Sequence, residues 1–215
     1  MSHQKLLRDY GLTVVIAVSV AILIRSFLIE AYRIPGSSMR PTLEGGDTIF
    51  VAKWKYHASA TPERGDVVVF SEVEEPKRDF IKRVVGIAGD TIELKQGHLV
   101  VNGIPLETKP SELDPYSKTC ATEAVFGASL QHGVCWEPQI LEDVAPVKVP
   151  ESAVFVMGDL RMQSPTDAGK RRSWGVVPIA LVKGKALWIW MSTEPHSVNG
   201  WFPQFRFERI FKKVE

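Results

Sequence analysis

A chain of 215 residues, 45% of them hydrophobic, is long enough for one folded domain with a buried core. Its 26 Lys and Arg residues nearly balance its 25 Asp and Glu residues, and it has no long basic tract, so nucleic acid is disfavoured as a partner. The 16 Gly and 14 Pro residues are spread along the chain, which indicates many turns and short strands.

The first predicted element is a transmembrane helix over residues 10–29, preceded by a short cytoplasmic N-terminus at 1–9. No residue from Gly11 to Ile24 is charged. About 20 residues suffice to cross the hydrocarbon layer if the charged end of Arg25 reaches an interface. A cleaved secretory signal is the alternative; we favour an uncleaved anchor because no good small-x-small cleavage site follows.

The basic residues around this segment predict its orientation only weakly. Lys5 and Arg8 favour a cytoplasmic N-terminus. Arg25, Arg33 and Arg40 follow the segment and oppose that preference.

Residues 30–215 are predicted to form one mostly antiparallel β domain, because no helical pattern of useful length follows residue 30. Short runs rich in β-branched and aromatic residues, bounded by Gly, Pro or Asp, predict its strands. These runs lie at 47–56, 65–70, 79–87, 152–159 and 185–192. Residues 91–103 predict a hairpin with Gln96 and Gly97 at its turn, and Asn102-Gly103 starts another turn.

The predicted strand at 79–87 carries a lysine on a face that looks apolar. Side-chain alternation places Phe80, Lys82 and Val84 on one face. Burial disfavours the ammonium form of a lysine and lowers its pKa, which would make Lys82 a usable general base. Alternatively, its long side chain extends from a sheet edge into water. None of the five histidines lies in a local pattern that suggests a Ser-His-Asp triad.

Four segments of the chain resemble, in order, the motifs of the bacterial type I signal peptidases. They read "RSFLIEAYRIPGSSMRPTL", "RGDVVVF", "DFIKRVVGIAGD" and "MGDLRMQS…RRSWGVVP". The likeness covers nearly the whole chain from Arg25 onward, and four segments in the same order make chance implausible. Members of that family are membrane-anchored Ser–Lys endopeptidases that remove leader peptides from exported proteins.

The resemblance implies a role for each matching polar residue. Ser38 would be the nucleophile and Lys82 the general base. Ser164 would orient the lysine by a hydrogen bond, and Asp159 and Arg172 would support the site from behind. The resemblance implies no cofactor and no metal.

The resemblance also implies a fold, a location and partners. The fold would be two coiled antiparallel sheets with an inserted β subdomain, on the extracytoplasmic (periplasmic) side of the bacterial inner membrane. Exported preproteins delivered by the secretion machinery would be the substrates, with small residues, usually Ala, at the first and third positions before the cut. The peptide would bind extended along a strand edge.

Aromatic residues near the C-terminus raise the question of membrane contact. Core packing is the default expectation for aromatic residues that lie so close together, here Trp188, Trp190, Trp201, Phe202 and Phe205. In the family that the chain resembles, however, part of the equivalent surface is apolar and rests on the outer leaflet. Trp201 and Phe202 are predicted to contact membrane lipid, given the preference of Trp for the interface.

The chain departs from the family pattern in two places. Many members have a serine two positions before the nucleophile that helps to hold the oxyanion, whereas this chain has Gly36. Backbone N–H groups, chiefly that of Ser38, would then serve alone. Residues 165–170 lengthen the spacing between Ser164 and Arg172, and they are predicted to form a loop that bulges from the site.

Residues 106–149, the stretch least like other members, are predicted to be a variable insertion in the domain, and they contain the two cysteines. Two thiols in an exported domain favour a disulfide between Cys120 and Cys135, and a free buried pair is the alternative. Closing a loop of this length is worth about 3 kcal/mol.

Two other functions remain open on sequence alone. A non-catalytic β domain tethered to the membrane, such as a chaperone or adhesin, would explain the anchor and the strands. A Ser–Lys peptidase that matures one dedicated partner, such as a conjugation pilin, would share every motif.

Overall fold

The computed structural model describes residues 10–11, 13–20, 22, 28–56, 60–71, 78–111, 119–125, 130–136, 143–161, 174–194 and 204–215. Residues 13–20 are helical. Among the described residues, no helix is both long enough and apolar enough to cross a membrane. The anchor at 10–29 is only partly described and stays a prediction, except that Ile29 at its end is the first residue of a strand.

The described residues contain fifteen β-strands and three short 3₁₀ helices. The strands are β1 Ile29–Arg33, β2 Asp47–Ala52, β3 Val67–Ser71, β4 Asp79–Gly86, β5 Thr91–Lys95, β6 His98–Val101, β7 Ile104–Pro105, β8 Thr108–Pro110, β9 Cys120–Ala124, β10 Gln131–Trp136, β11 Val144–Lys148, β12 Ala153–Met157, β13 Leu160–Arg161, β14 Trp174–Pro178 and β15 Val182–Ser192. The 3₁₀ helices are Lys53–Tyr56, Ile179–Leu181 and Phe207–Arg209.

The strands form one seven-stranded sheet and two four-stranded sheets. The large sheet has the order β1-β2-β15-β3-β4-β12-β14, and every pair in it is antiparallel. The small sheets have the orders β11-β5-β6-β7 and β13-β10-β9-β8. The prediction of a mostly antiparallel β fold is confirmed. Three of the four strands of the sheet β13-β10-β9-β8 lie within residues 106–149. The pairing of β10 with β13 is parallel, with Cys135 opposite Leu160.

Several predicted strand limits agree with the structure, such as those of β4, predicted at 79–87 and observed at Asp79–Gly86. Gln96 and Gly97 form the predicted turn between β5 and β6, both with positive φ, as a tight hairpin requires. The strand predicted at 47–56 is too long, because it ends at Ala52 and a 3₁₀ helix follows. In that helix the Tyr56 hydroxyl donates to the Asp66 carboxylate at 2.7 Å, a tertiary contact with no local signal.

The centre of the large sheet is covered on both faces, which explains why β3 is buried along its whole length. Val67 and Val69 pack in one core cluster, while Val68 and Phe70 pack in another on the opposite face. The neighbouring strand β4, which carries Lys82, lies between β3 and β12 and is therefore an interior strand.

Candidate active site

Ser38 lies in a turn of the loop between β1 and β2. The Arg40 N–H donates to the Ser37 carbonyl at 3.0 Å, and the Leu43 N–H donates to the Met39 carbonyl at 2.8 Å. Met39 and Leu43 are buried in one core cluster, whereas Ser38 is only partly buried. The methionine after the serine thus anchors the turn in the core and leaves the hydroxyl-bearing residue near the surface.

Lys82 lies on the interior strand β4 and is only 7% exposed. Burial lowers the pKa of its amine to about 8, although the negative charge of Asp159 opposes part of that change. The alternative of a side chain that extends from a sheet edge is therefore wrong. An amine with this pKa is partly neutral near neutral pH and can accept a proton.

Gly158, which directly follows β12, lies next to both Ser38 and Lys82. A Cβ added to Gly158 would lie 2.6 Å from the Ser38 carbonyl oxygen and 3.1 Å from Lys82 Nζ. Those two atoms are therefore at most about 6 Å apart. The Leu160 N–H donates to the same Ser38 carbonyl at 3.2 Å. The fold thus brings Ser38 and Lys82 together around a residue that has no side chain.

Asp159 is buried and is held by side chains from two other elements. Arg83 donates to both carboxylate oxygens, from Nε at 2.8 Å and from Nη2 at 2.7 Å. The Thr42 hydroxyl donates to Asp159 Oδ2 at 2.5 Å. Burial by itself would raise the pKa of this carboxyl, but the charge and hydrogen bonds of Arg83 outweigh it, and the pKa lies below its ordinary value. The ionised Asp159 therefore joins the loop of the candidate nucleophile to the strand of the lysine.

Sequence reasoning missed Arg83, although it directly follows Lys82. The alternation along β4 directs the two side chains to opposite faces, so Arg83 can support Asp159 while Lys82 lies beside Gly158. Its position beside the lysine was the available signal, but no local pattern names Asp159 as its partner.

Several predicted positions lie outside the described residues. These are Ser164, Arg172, Trp201, Phe202 and residues 165–170. Their roles stay predictions.

Gly36 has room for a side chain. It is exposed, a Cβ added to it would meet nothing within 4 Å, and its φ is not in the left-handed region. Nothing in its described surroundings prevents a serine from occupying this position.

The two cysteines are joined. Cys120 and Cys135 face each other on the antiparallel strands β9 and β10, and a disulfide bridges them, as predicted. The bridge closes the hairpin of the insertion.

The expectation of core packing is wrong for three aromatic residues. Trp188 and Trp190 are 37% and 36% exposed, and Phe205 is 46% exposed. The alternation of β15 explains the first two, because Ile189 between them is fully buried. Phe50 stacks on Trp190 with ring centroids 5.5 Å apart, which makes an aromatic surface beside this strand.

Within the part of the chain that the structure describes, no group of three or more His, Cys, Asp or Glu side chains is placed to hold a metal ion. The chemistry available at the described site is that of a hydroxyl, a buried amine and a buried carboxylate–guanidinium pair.

Comparison with known proteins defines the class. The model of the family described as "Signal peptidase, peptidase S26" matches residues 7–191. Signal peptidase I P of Bacillus subtilis subsp. natto is 38% identical over 157 residues, which cover 73% of this chain and 75% of that protein. Signal peptidase I of Pseudomonas aeruginosa is 32% identical over 219 residues, covering 89% of this chain and 75% of that protein.

A crystal structure of a signal peptidase I from Enterococcus faecalis matches with a TM-score of 0.33 and 22% identity, over 60% of this chain and 98% of that one. The family match and the relatives show a peptidase. The chain belongs to the signal peptidase family, peptidase S26, and the resemblance of its motifs is confirmed.

Proposed function

We propose that this chain is a membrane-bound serine endopeptidase that removes N-terminal signal peptides from exported preproteins by cutting after small residues, as in Ala-x-Ala. Ser38 is the nucleophile and Lys82 is the general base. One observation carries the proposal: the buried Lys82 amine, with its pKa of about 8, and Ser38 are both neighbours of Gly158. The membership of the signal peptidase family supports the same activity.

The reaction needs one proton acceptor that acts twice. Neutral Lys82 takes the hydroxyl proton of Ser38 while the Ser38 oxygen attacks the scissile carbonyl. The amide bond breaks, Lys82 returns the proton to the leaving amine, and an acyl-enzyme remains. Lys82 then takes a proton from water, the hydroxide attacks the ester, and the proton returns to Ser38 as the acid is released.

The edge of the large sheet supports an extended mode of substrate binding. β1 is the terminal strand of that sheet in the described residues, and it ends at Arg33, shortly before the loop that carries Ser38. A peptide that adds to this edge would gain main-chain hydrogen bonds, and shallow apolar pockets would select small side chains.

Membrane attachment is part of the proposal. The predicted helix at 10–29 would anchor the domain at 30–215 on the extracytoplasmic side, where the secretion machinery delivers preproteins. The exposed aromatic residues Trp188, Trp190 and Phe205 support contact with lipid, because aromatic rings favour the interface.

Cleavage of a precursor with an Ala-x-Ala site by the detergent-solubilised protein tests this function. We expect Ser38→Ala and Lys82→Ala to abolish turnover. Ser164→Ala should leave residual activity, because the lysine loses a partner that orients it but the base is kept. Lys109→Ala is the matched control, since Lys109 is 65% exposed. It should cut at the wild-type rate.

The other outcomes separate the remaining possibilities. Cleavage of a single dedicated protein, and not of the generic precursor, would indicate a specialised Ser–Lys peptidase. Wild-type protein that cuts nothing would favour a tethered binding domain.

A further inference from the structure

The hairpin of the insertion is built onto the segment that follows Gly158. β10 pairs with β13, and Cys135 N–H donates to the Asp159 carbonyl at 3.0 Å. The next N–H, that of Leu160, donates to the Ser38 carbonyl. Asp159 and Leu160 thus connect the disulfide-bonded hairpin to the loop of the nucleophile.

A buried ion pair reinforces this connection. Arg161 Nη2 donates to Glu123 Oε2 at 2.6 Å, and Arg161 Nε donates to the Gly158 carbonyl at 3.2 Å. The Glu123 and Arg161 side chains are 0% and 1% exposed. A buried charge is tolerated only with a partner of opposite charge. The carboxylate of Glu123 on β9 therefore fixes the position of the buried Arg161 guanidinium. Through Arg161, the insertion therefore holds the Gly158 carbonyl.

His132 fills the space between this pair and the site. Its Nε2 lies 3.5 Å from Glu123 Oε2 and 3.7 Å from Asp159 Oδ1. Burial, together with the nearby charge of Arg83, lowers the pKa of His132 to about 3. The lowered pKa keeps the imidazole neutral near pH 7, where it lies between the two carboxylates.

We propose that Glu123 is a positioning residue of the Ser–Lys site: it holds Arg161, which holds the Gly158 backbone in contact with Lys82 and Ser38. The inference rests on the proposed function and gives the insertion at 106–149 a part in it. A Cβ at Gly158 would already clash with Ser38, so the backbone has little room to move. A displacement of about 1 Å at a reacting group can cost about 10²-fold in rate.

The test compares two changes in the pair with one matched control. Glu123→Gln removes the charge that holds Arg161, and we expect kcat on the precursor to fall about 10²-fold with little change in KM. The double variant Glu123→Leu with Arg161→Met replaces the pair with apolar side chains, which buried sites often tolerate without loss of stability. It should show the same fall in kcat. Glu107→Gln is the control, because Glu107 in the same insertion is exposed and pairs with Lys109 at 3.9 Å. It should keep the wild-type kcat.

A second readout does not depend on activity. NMR titration of ¹³C-labelled lysine side chains, with the Lys82 signal assigned from Lys82→Arg, follows the amine directly. If Gly158 shifts in Glu123→Gln, water reaches the amine and its titration midpoint rises above about 8. A folded Glu123→Gln with wild-type kcat and an unchanged Lys82 midpoint would overturn the inference, even if the double variant failed to fold. Wild-type turnover in Lys82→Ala would instead overturn the proposed function, so the two failures are distinguishable.

Discussion

Replacement of Lys82 by Met measures what the buried amine costs the fold. The two side chains are similar in length, but Met carries no charge. The pKa of Lys82 is about 8 in the folded chain, against an ordinary value of 10.5. Each unit of pKa is worth about 1.4 kcal/mol, so the protonated lysine destabilises the folded state by about 3 kcal/mol. We expect Lys82→Met to be inactive and, at pH 7, up to about 3 kcal/mol more stable than the wild type.

The pH dependence of this gain follows from the direction of the pKa change. Well below pH 8 the lysine is protonated in both states, and nearly the whole penalty is present. Between pH 8 and 10.5 the folded chain loses the proton first, so the unfolded chain binds more protons and the wild type gains stability as pH rises. The advantage of the Met variant therefore fades across that window. Urea unfolding at several pH values measures the difference in the free energy of unfolding between the variant and the wild type. At pH 7 this difference corresponds to a rise in Tm on the order of 5–10 °C for the variant.

The matched control is Lys109→Met, because the side chain of Lys109 is 65% exposed. Its free energy of unfolding should change by less than about 0.5 kcal/mol. If Lys82→Met melts at or below the wild-type temperature at pH 7, the reasoning is refuted. The same holds if its gain persists unchanged above pH 10.5.

Three further predictions concern turnover of an Ala-x-Ala peptide. kcat/KM should rise with pH through about 8, because only neutral Lys82 can take the Ser38 proton, and a flat profile would contradict this. Gly158→Ala should lower kcat by on the order of 10²-fold, whereas Gly175→Ala, where a Cβ meets nothing within 4 Å, should match the wild type; equal rates in both would be the contrary result. Gly36→Ser should raise kcat with little effect on KM, since one oxyanion donor is worth about 10²–10³ in rate; a slower enzyme with an intact fold would count against it.

The prediction of the fold from the sequence rested on patterns that extend over only a few residues. Gln96 and Gly97 specify a tight turn, and β-branched runs bounded by Gly, Pro or Asp predicted the main strands. Side-chain alternation around Lys82 predicted a lysine on an apolar face, and the lysine is buried. The motifs around Ser38 and Lys82 predicted the family, which the comparisons confirm.

These local signals could not predict contacts between segments that are distant in the sequence. Side-chain alternation predicts the face of the strand on which Arg83 lies. Only the pairing of β4 with β12 makes Asp159 its partner. In the same way, only the parallel pairing of β10 with β13 gives Glu123 its contact with Arg161. A charged side chain is stabilised in a core only by a partner within hydrogen-bond distance, whichever part of the chain supplies it. The sequence by itself therefore determined the mostly β class, the local turns and the candidate residues Ser38 and Lys82. Tertiary packing decided which distant side chains meet, as Arg83 meets Asp159.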